Sequence, residues 1–425
     1  MGTLVLYLVI FAIFFLIGVP IVLSLSVSAI ILLFVSNVDL LVFTQQFFKS
    51  MDSYTLTAIF FFVLAGEIMN SGGMTRRIVA AVSKRLRNIP GGLAIVAGIS
   101  AAIFAAINGS AIATAVAIGA IMIPAMEKEH YDSAFSGAVV AAGGVVRPII
   151  PVILYGSITG ASIPKLFMGG LLLGILITAG HLLISYRTGK KRGYYVKKGE
   201  EQNAIAVKDE ESKGVIWALL LPVFIMVTVS FGIFTATESA AFAVVYAFLI
   251  SKFVYKEFDM KGIFTLFRKS MKSTGSVMAI VGSATAVAWV LSYNRVPQLV
   301  ADTLLKVADT KMVFMLIVFI LLVIVGMIMD LTPAILILAP IFTAPVQMYG
   351  IDPVYFGVIF LAILTTGLIT PPVGTLIYTS CSMTKKGFSA VSKQLMPYML
   401  ITFAIILLAV FFPQIITFIP NIIYQ

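Results

Sequence analysis

Apolar runs of about 20 residues recur along this chain, and they restrict its fold more than any other feature. Examples are Leu4–Phe34, Val215–Phe234, Met312–Met329 and Tyr398–Phe418. A helix of that length crosses the hydrocarbon layer of a bilayer. Of the 425 residues, 60% are hydrophobic and 11% are charged, whereas soluble domains average about 45–50% and about 25%. Because the runs also lack the alternation of barrel strands, the sequence predicts an all-α polytopic membrane protein.

Composition also limits the function. The formal charge of +11 does not indicate nucleic-acid binding, because Lys and Arg lie in short loops between apolar runs, as membrane topology requires. Cys381 is the single cysteine, and His130 and His181 are far apart in sequence. The pattern therefore predicts neither an internal disulfide nor a cysteine- or histidine-rich metal site. We find no Walker-type glycine loop and no convergent catalytic set, and we predict that the chain is not an enzyme.

Basic stretches predict the orientation. Arg76–Arg87, Arg187–Lys213, Lys252–Lys272 and Lys385–Lys393 are placed in the cytoplasm. Residues 295–311 form a milder basic loop that fits this pattern less well. We expect a multi-pass protein of the bacterial inner membrane, with a cytoplasmic N-terminus and a periplasmic C-terminus.

Four regions are predicted along the chain. Residues 1–52 hold a transmembrane helix and a periplasmic amphipathic segment. That helix is not read as a cleaved signal peptide, because no basic residue precedes it and no small-residue cleavage site follows. The other regions are a first repeat at 53–190, a cytoplasmic loop with central scaffold helices at 191–272, and a second repeat at 273–425.

Each repeat contains two short apolar segments that fit a re-entrant hairpin better than two full crossings. The first hairpin, 92–126, turns at Asn108-Gly109-Ser110, and the second, 312–347, turns at Asp330. Each hairpin is followed by an apolar segment that Gly and Pro interrupt, at Gly143–Pro151 and at Gly367–Pro372. We therefore predict a broken helix after each hairpin.

A constant offset of 220 positions relates the two repeats. It pairs Ser110 with Asp330, Asp132 with Asp352, and Pro151 with Pro371. The predicted loop positions make the second hairpin enter from the periplasm, so the repeats are inverted. Paired interruptions in inverted repeats indicate a transporter with its site near the bilayer midplane.

The interruptions also predict the chemistry of that site. Half-helix C-termini offer carbonyl oxygens to a cation, and half-helix N-termini attract an anion. We expect two Na+ sites that flank an anionic substrate. The first site comprises Asn108, Ser110, Gly144, Arg147 and Pro148. The second comprises Gly326, Asp330, Thr332, Gly367 and Thr370. The predicted substrate contacts are Ser110, Arg147, Asp330, Thr332 and Thr370.

Four charged residues leave alternatives open. Asp330 fits a sodium site, since carboxylates inside a membrane are costly, and it also fits an N-cap of the next half-helix. Arg147 fits a bidentate grip on a carboxylate, or it neutralises a partner such as Asp330 or reaches an interface. Glu67 has an interfacial structural role or a role in transport. For Glu238, which follows Thr235 by three residues, a helix-start cap is favoured.

At these motifs the chain resembles the large membrane subunit of tripartite ATP-independent periplasmic (TRAP) transporters. The resemblance implies an elevator-type mechanism, sodium symport, a small four-helix membrane subunit and a periplasmic binding protein. It further implies an organic-acid substrate of the C4-dicarboxylate, sialic acid or sugar acid type, and Ser110 and Asp330 match functionally important family positions. The nearest alternative is a stand-alone sodium/divalent-anion symporter of similar hairpin architecture. The matching stretches are Ala65–Gly73, Gly109–Pro124, Thr235–Tyr246, Gly326–Pro340, Gly350–Gly357 and Gly367–Gly374.

The first broken helix departs from the family pattern. The family commonly has Pro-Pro-Ser-Ile-Pro there, whereas this chain has Arg147-Pro148-Ile149-Ile150-Pro151. Aligning the prolines implies a deletion of about four residues. Aligning the following Tyr155-Gly156 instead replaces a proline by Arg147 and the serine by Ile149. Either alignment removes a family serine, so the substrate is not fixed by the resemblance.

Overall fold

The computed structural model describes residues 2–146, 149–195, 214–258 and 260–424, and in these ranges every regular element is a helix. Nine helical stretches are long and apolar enough to cross a membrane in this part of the chain. The α-helices are α1 Gly2–Leu16, α2 Ile21–Val35, α3 Leu41–Met51, α4 Tyr54–Ser71, α5 Met74–Leu86, α6 Gly92–Asn108, α7 Ala111–Lys128, α8 Ser133–Gly144, α9 Ile149–Thr159, α10 Ile163–Arg192, α11 Val215–Ser230, α12 Ala236–Leu249, α13 Met260–Tyr293, α14 Val296–Val307, α15 Lys311–Ile328, α16 Leu331–Met348, α17 Pro353–Gly367, α18 Thr375–Thr384, α19 Phe388–Phe411 and α20 Gln414–Ile423.

Two expectations about single segments were wrong. The first apolar run forms two helices, because α1 ends at Leu16, the chain turns at Gly18, where φ is +86°, and α2 begins after Pro20. Val19 donates its amide to the Phe14 carbonyl and so closes the end of α1. The predicted basic loop 252–272 is also largely helical, since a π-helical turn covers Ile250–Val254 and α13 begins at Met260. The side of the N-terminus was predicted from one crossing and stays a prediction.

The helices confirm the repeat. With the 220-residue offset, α4 to α8 correspond in order to α13 to α17, and α7 matches α16 at both ends. Asp132 caps α8 by accepting the Phe135 amide at 2.8 Å, and Asp352 caps α17 by accepting the Tyr355 amide at 2.8 Å. These aspartates are therefore equivalent, as predicted.

The third aligned pair, Pro151 and Pro371, is wrong. Pro151 is the third residue of α9, whereas Pro371 lies in the break before α18 begins at Thr375. The second break, 368–374, is longer than the first, and the offset therefore fails after α17. Gly374 adopts a positive φ of 51° that turns the chain into α18.

The two hairpins open at opposite ends of α10, a helix of 30 residues that is about 45 Å long. At its C-terminal end, the Tyr194 carbonyl accepts the Gly91 amide before α6, and the Tyr194 hydroxyl accepts the Asp132 amide after α7. At its N-terminal end, Lys165 lines the same cleft as Asp352, which follows α16. The repeats are therefore inverted.

The described parts of the four basic stretches lie at the first of these ends, which we call the basic end; residues 196–213 lie outside the described residues. Arg76 and Arg77 form salt bridges with Glu257 there. Arg192 donates to Gln394 at 2.8 Å, and α5 connects the two clusters along the chain. We call the other end, with Lys165 and Asp352, the opposite end. The clustering of Lys and Arg at one end is the pattern expected of a single membrane face.

The helices pack in two groups. The α4 group consists of α1–α4 and α11–α13, whereas the hairpin group consists of α6–α10 and α15–α20. Within the hairpin group each repeat packs on the other, because α9 contacts α16 and α18 contacts α7. The two groups contact each other directly, since α4 packs on α6 and α9 and α13 packs on α16. The helices α5 and α14 also contact both groups: α5 packs on α6 and α11, and α14 packs on α16 and α13.

Two of the open charged residues have structural partners in the α4 group. Glu67 accepts a hydrogen bond from the Lys269 ammonium at 2.8 Å, which joins α4 to α13. Glu238 accepts from the Thr235 amide at 2.8 Å, while Thr235 accepts from the Glu238 amide, so the pair forms a capping box. The structure thus gives both carboxylates a role in helix packing or capping.

Candidate functional site

The first hairpin tip lies against the first helix break, and we call this contact the first junction. Gly109 has a φ of +69°, and a Cβ there would lie 2.6 Å from the Ile150 side chain in α9. A Cβ on Gly144, the last residue of α8, would lie 2.8 Å from the Ala111 carbonyl oxygen in α7. Both glycines therefore permit a backbone approach that a larger residue prevents.

The equivalent second junction is even closer. Gly326 near the end of α15 faces Gly367 at the end of α17, and a Cβ on Gly367 would lie 2.4 Å from the Gly326 carbonyl carbon and oxygen. The break itself is compact, since the Thr370 amide donates to the Gly367 carbonyl and the Leu376 amide donates to the Leu368 carbonyl. It also contains a cis peptide bond between Pro371 and Pro372.

Asp330 occupies the N-cap position of α16, but its carboxylate makes no capping hydrogen bond. Its equivalent Ser110 does cap, accepting the Ala113 amide at 3.3 Å. Asp330 is half-buried, as is Thr332. Among the described residues, the contacts of Asp330 therefore do not support the capping alternative.

The hydroxyl groups near the breaks divide into two sets. Thr366 at the end of α17 and Thr370 in the break donate to carbonyls four residues earlier, at 2.7 and 2.8 Å, so their protons are used in local backbone contacts. Their oxygens can still accept a hydrogen bond or bind a cation. Thr114 and Thr375 instead have hydroxyls with no hydrogen-bond partner among the described residues. Thr114 is fully buried one turn after Ser110, within the first junction.

The sequence did not single out three residues that complete the junctions. Gly66 in α4 packs against Asn108, since a Cβ there would lie 2.2 Å from the Asn108 Oδ1. Ile150 contacts the first tip, and Thr375 begins α18 after the second break. A Gly-Thr pair after a break is a usable helix-start signal for Thr375. The contacts of Gly66 and Ile150 depend on tertiary packing and have no sequence signal.

Of the predicted residues, Asn108, Ser110 and Gly144 lie at the first junction, and Gly326, Gly367 and Thr370 lie at the second. Asp330 lies at the second tip as the N-cap of α16, and Thr332 lies in the first turn of that helix. Arg147 and Pro148 lie outside the described residues, so their predicted contacts stay predictions.

Each junction combines two kinds of helix end. At the first, α6 and α8 terminate while α7 and α9 begin, and at the second α15 and α17 terminate while α16 and α18 begin. The terminating helices present carbonyl oxygens, which keep acceptor capacity even where one hydrogen bond is made within the break, and the starting helices present amide groups. Such a junction can bind a small cation on one side and an anionic group on the other. We find no cluster of three or more His, Cys, Asp or Glu residues in the described ranges.

Two inverted hairpins that contact two broken helices define the class: this is a secondary-transporter fold. Residues 8–415 match the family described as "Tripartite ATP-independent periplasmic transporter, DctM component". The chain belongs to this family, and it is therefore a large permease subunit of a TRAP transporter, a multi-pass membrane protein and not an enzyme.

Curated relatives are similar in sequence to this chain over nearly its whole length. The 2,3-diketo-L-gulonate TRAP transporter large permease protein of Escherichia coli is 35% identical, covering 94% of this chain and 95% of the relative. The sialic acid TRAP transporter large permease protein of Vibrio cholerae is 30% identical, covering 95% of each chain. The isethionate TRAP transporter permease protein DctMQ of Oleidesulfovibrio alaskensis is 34% identical, and the match covers 95% of this chain but 64% of that longer protein.

A solved structure supports the fold independently. The YdaH transporter of Alcanivorax borkumensis superimposes with a TM-score of 0.63, covering 87% of this chain and 86% of its own, at 14% identity. At that identity the similarity concerns the fold alone.

Proposed function

We propose that this subunit is a sodium-coupled symporter that imports an organic acid delivered by a periplasmic binding protein. The observation that carries the proposal is the pair of junctions, in which two inverted hairpins place helix ends at two breaks. Equivalent positions in inverted repeats suit two cation sites on either side of one substrate. The transporters of this family are tripartite, and we propose a small four-helix membrane subunit as the second partner.

The two proposed Na+ sites are the two junctions. In the first, carbonyls at the ends of α6 and α8 bind the ion near Asn108, Ser110 and Gly144. In the second, Asp330 adds a negative charge to the carbonyls around Gly326 and Gly367. A carboxylate in a low-dielectric site attracts a cation strongly. The organic acid binds between the tips, near Thr332 and Thr370.

The packing supports an elevator-type movement of the hairpin group relative to the α4 group. The two junctions lie within the hairpin group, so both sites move together. The helices α5 and α14 contact both groups and suit the role of connecting arms. We further propose that the basic end faces the cytoplasm, as the positive-inside rule requires.

The stand-alone sodium/divalent-anion symporter is the second candidate. The fold similarity to YdaH does not discriminate between the two functions, since it concerns architecture. Membership of a tripartite family favours the first candidate. Two relatives are named for a diketo sugar acid and for sialic acid, which supports the proposal of an organic-acid substrate for this chain.

Sodium dependence tests the proposal directly. In proteoliposomes that contain the chain and its partners, an inward Na+ gradient should drive accumulation of the organic acid. Replacing Na+ by K+ should lower the initial rate about tenfold or more, because both cation sites lose their ligand. Equal uptake in K+, or full uptake driven by a proton gradient alone, contradicts sodium coupling.

Dependence on delivery separates the two candidate functions. We expect no high-affinity uptake by the chain and its small subunit until the periplasmic binding protein is added. The measurement is labelled-substrate uptake with the binding protein titrated from zero, with a heat-denatured binding protein as the control. Robust uptake by this chain alone favours the stand-alone symporter.

A further inference from the structure

A polar cleft opens at the opposite end of the molecule, outside the two junctions. It has a volume of about 610 Å³, including the part open to solvent, and its walls come from α10, α17, α20 and the residues that flank them. Its polar lining residues are Lys165, Asp352, Thr417, Asn421 and Tyr424. Neither ion coupling nor the proposed transport cycle uses these residues.

The cleft contains one cation and one anion with unused bonding capacity. The Lys165 ammonium lies 5.7 Å from the centre of the Tyr424 ring, and it has no hydrogen-bond acceptor among the described residues. Asp352 accepts the amides of Val354 and Tyr355 through Oδ1, at 2.7 and 2.8 Å. Its Oδ2 accepts no hydrogen bond from the described part of the chain. The site therefore offers a donor and an acceptor of opposite charge.

The walls of the cleft are fixed in place. The Tyr424 hydroxyl donates to the Ser230 carbonyl at the end of α11, which holds the aromatic wall. Ile416 is buried against α10, 3.1 Å from where a Cβ on Gly169 would lie. A preformed cleft loses little conformational entropy when a ligand enters.

The position of the cleft indicates a lipid ligand. Both α10 and α17 start beside it and run into the apolar part of the molecule. On α20, Ile416 and Pro420 are buried, whereas Phe418 and Ile422 are 57% and 60% exposed. A short helix with an exposed apolar side beside a polar cleft is typical of the membrane interface.

We propose that this cleft binds the headgroup of a phospholipid that carries a phosphate and a primary ammonium, as in phosphatidylethanolamine. The Lys165 ammonium and the Asn421 amide donate to the phosphate oxygens. The Asp352 Oδ2 accepts a hydrogen bond from the lipid ammonium. Phe418 and Ile422 contact the acyl chains. A trimethylated headgroup has no N–H donor for Asp352, so the site discriminates between phosphatidylethanolamine and phosphatidylcholine.

The test measures lipid retention by native mass spectrometry of the purified chain, with phosphatidylethanolamine and phosphatidylcholine of identical acyl chains. Wild-type protein should retain phosphatidylethanolamine about tenfold better, since one charge-assisted hydrogen bond separates the two lipids. Asp352→Asn should lose this preference yet still fold, because Asn also caps a helix. Lys165→Gln should lower the retention of both lipids equally, and Lys165→Arg should restore that retention.

Two matched variants serve as controls. Asp132→Asn changes the equivalent helix cap at the basic end, and Lys311→Gln removes a lysine at the opposite end that donates to the Gly350 carbonyl outside the cleft. Neither should alter lipid retention. Glycerophosphoethanolamine, which has no acyl chains, should not displace the lipid.

Three results overturn the proposal. The first is equal retention of the two lipids by wild-type protein, or an unchanged preference in Asp352→Asn. The second is displacement of the lipid by glycerophosphoethanolamine at equal concentration, which indicates a soluble ligand. The third is that the cleft variants impair only uptake that depends on the binding protein and leave lipid retention intact, which identifies a protein-docking surface.

Discussion

Gly367→Ala should nearly abolish transport and reduce the stability of the folded protein. The new Cβ would lie 2.4 Å from the backbone carbon and oxygen of Gly326. Backbone atoms cannot rotate away as a side chain can, so α15 and α17 must separate. Overpacking of this kind costs about 1–3 kcal/mol or more, and it displaces the second junction directly. We expect uptake to fall at least about tenfold, together with a lower unfolding temperature of the purified chain.

Gly387→Ala is the matched control for this substitution. Gly387 precedes α19 with a φ of −68°, and a Cβ there would meet no atom of the described residues within 4 Å. The Gly387→Ala variant should have the uptake rate and the unfolding temperature of the wild-type protein. Normal stability and normal uptake in Gly367→Ala contradict the close approach at the second junction.

Asp330→Asn should leave folding intact and raise the sodium concentration needed for half-maximal uptake. Asn keeps the shape of the side chain and removes its charge, and Asp330 makes no capping bond that the change could weaken. A shift of about tenfold corresponds to about 1.4 kcal/mol, a modest contribution for a carboxylate near a bound cation in a low dielectric. The measurement is initial uptake against Na+ concentration at saturating substrate.

Asp302→Asn removes an exposed carboxylate from α14 and should leave the sodium dependence unchanged. A second variant, Asp330→Ala, distinguishes the effect of the charge from that of a structural cap. Since the side chain caps nothing, Ala should assemble normally and show the same shift as Asn. If Asp330→Asn keeps the wild-type sodium dependence while Asp330→Ala fails to assemble, the residue acts as a structural cap and the charge argument is wrong.

Much of the fold could be predicted because the residues that begin and end its helices are local sequence signals. Gly and polar residues at the tips ended the hairpin helices within a few residues of the predicted positions, and Asp132 and Asp352 marked equivalent helix starts. The division of the first run also had a local signal, Gly18 followed by Pro20, which a continuous apolar pattern obscured. The predicted pairing of Pro151 with Pro371 was wrong because the second break is longer than the first.

The geometry of the site was less predictable for a physical reason. That Gly326 faces Gly367, and that Gly66 packs on Asn108, depends on which sides of distant helices meet. Single glycines in membrane helices usually serve ordinary packing. The sequence indicated that Asp330 was unusual, but only the structure distinguished a carboxylate that caps from one that does not.

The crossed packing of the repeats has a consequence for biogenesis. In the folded protein α7 contacts α18 and α9 contacts α16. Since α16 and α18 come later in the chain, α7 and α9 are synthesised before the helices that cover them. Until the ribosome has passed Thr384, these early helices lack their native neighbours and must be held by lipid, by the insertion machinery or by transient contacts. The junctions are therefore completed late, after both repeats have been inserted. A nascent chain released before that point contains every residue of the first tip and still has no finished site.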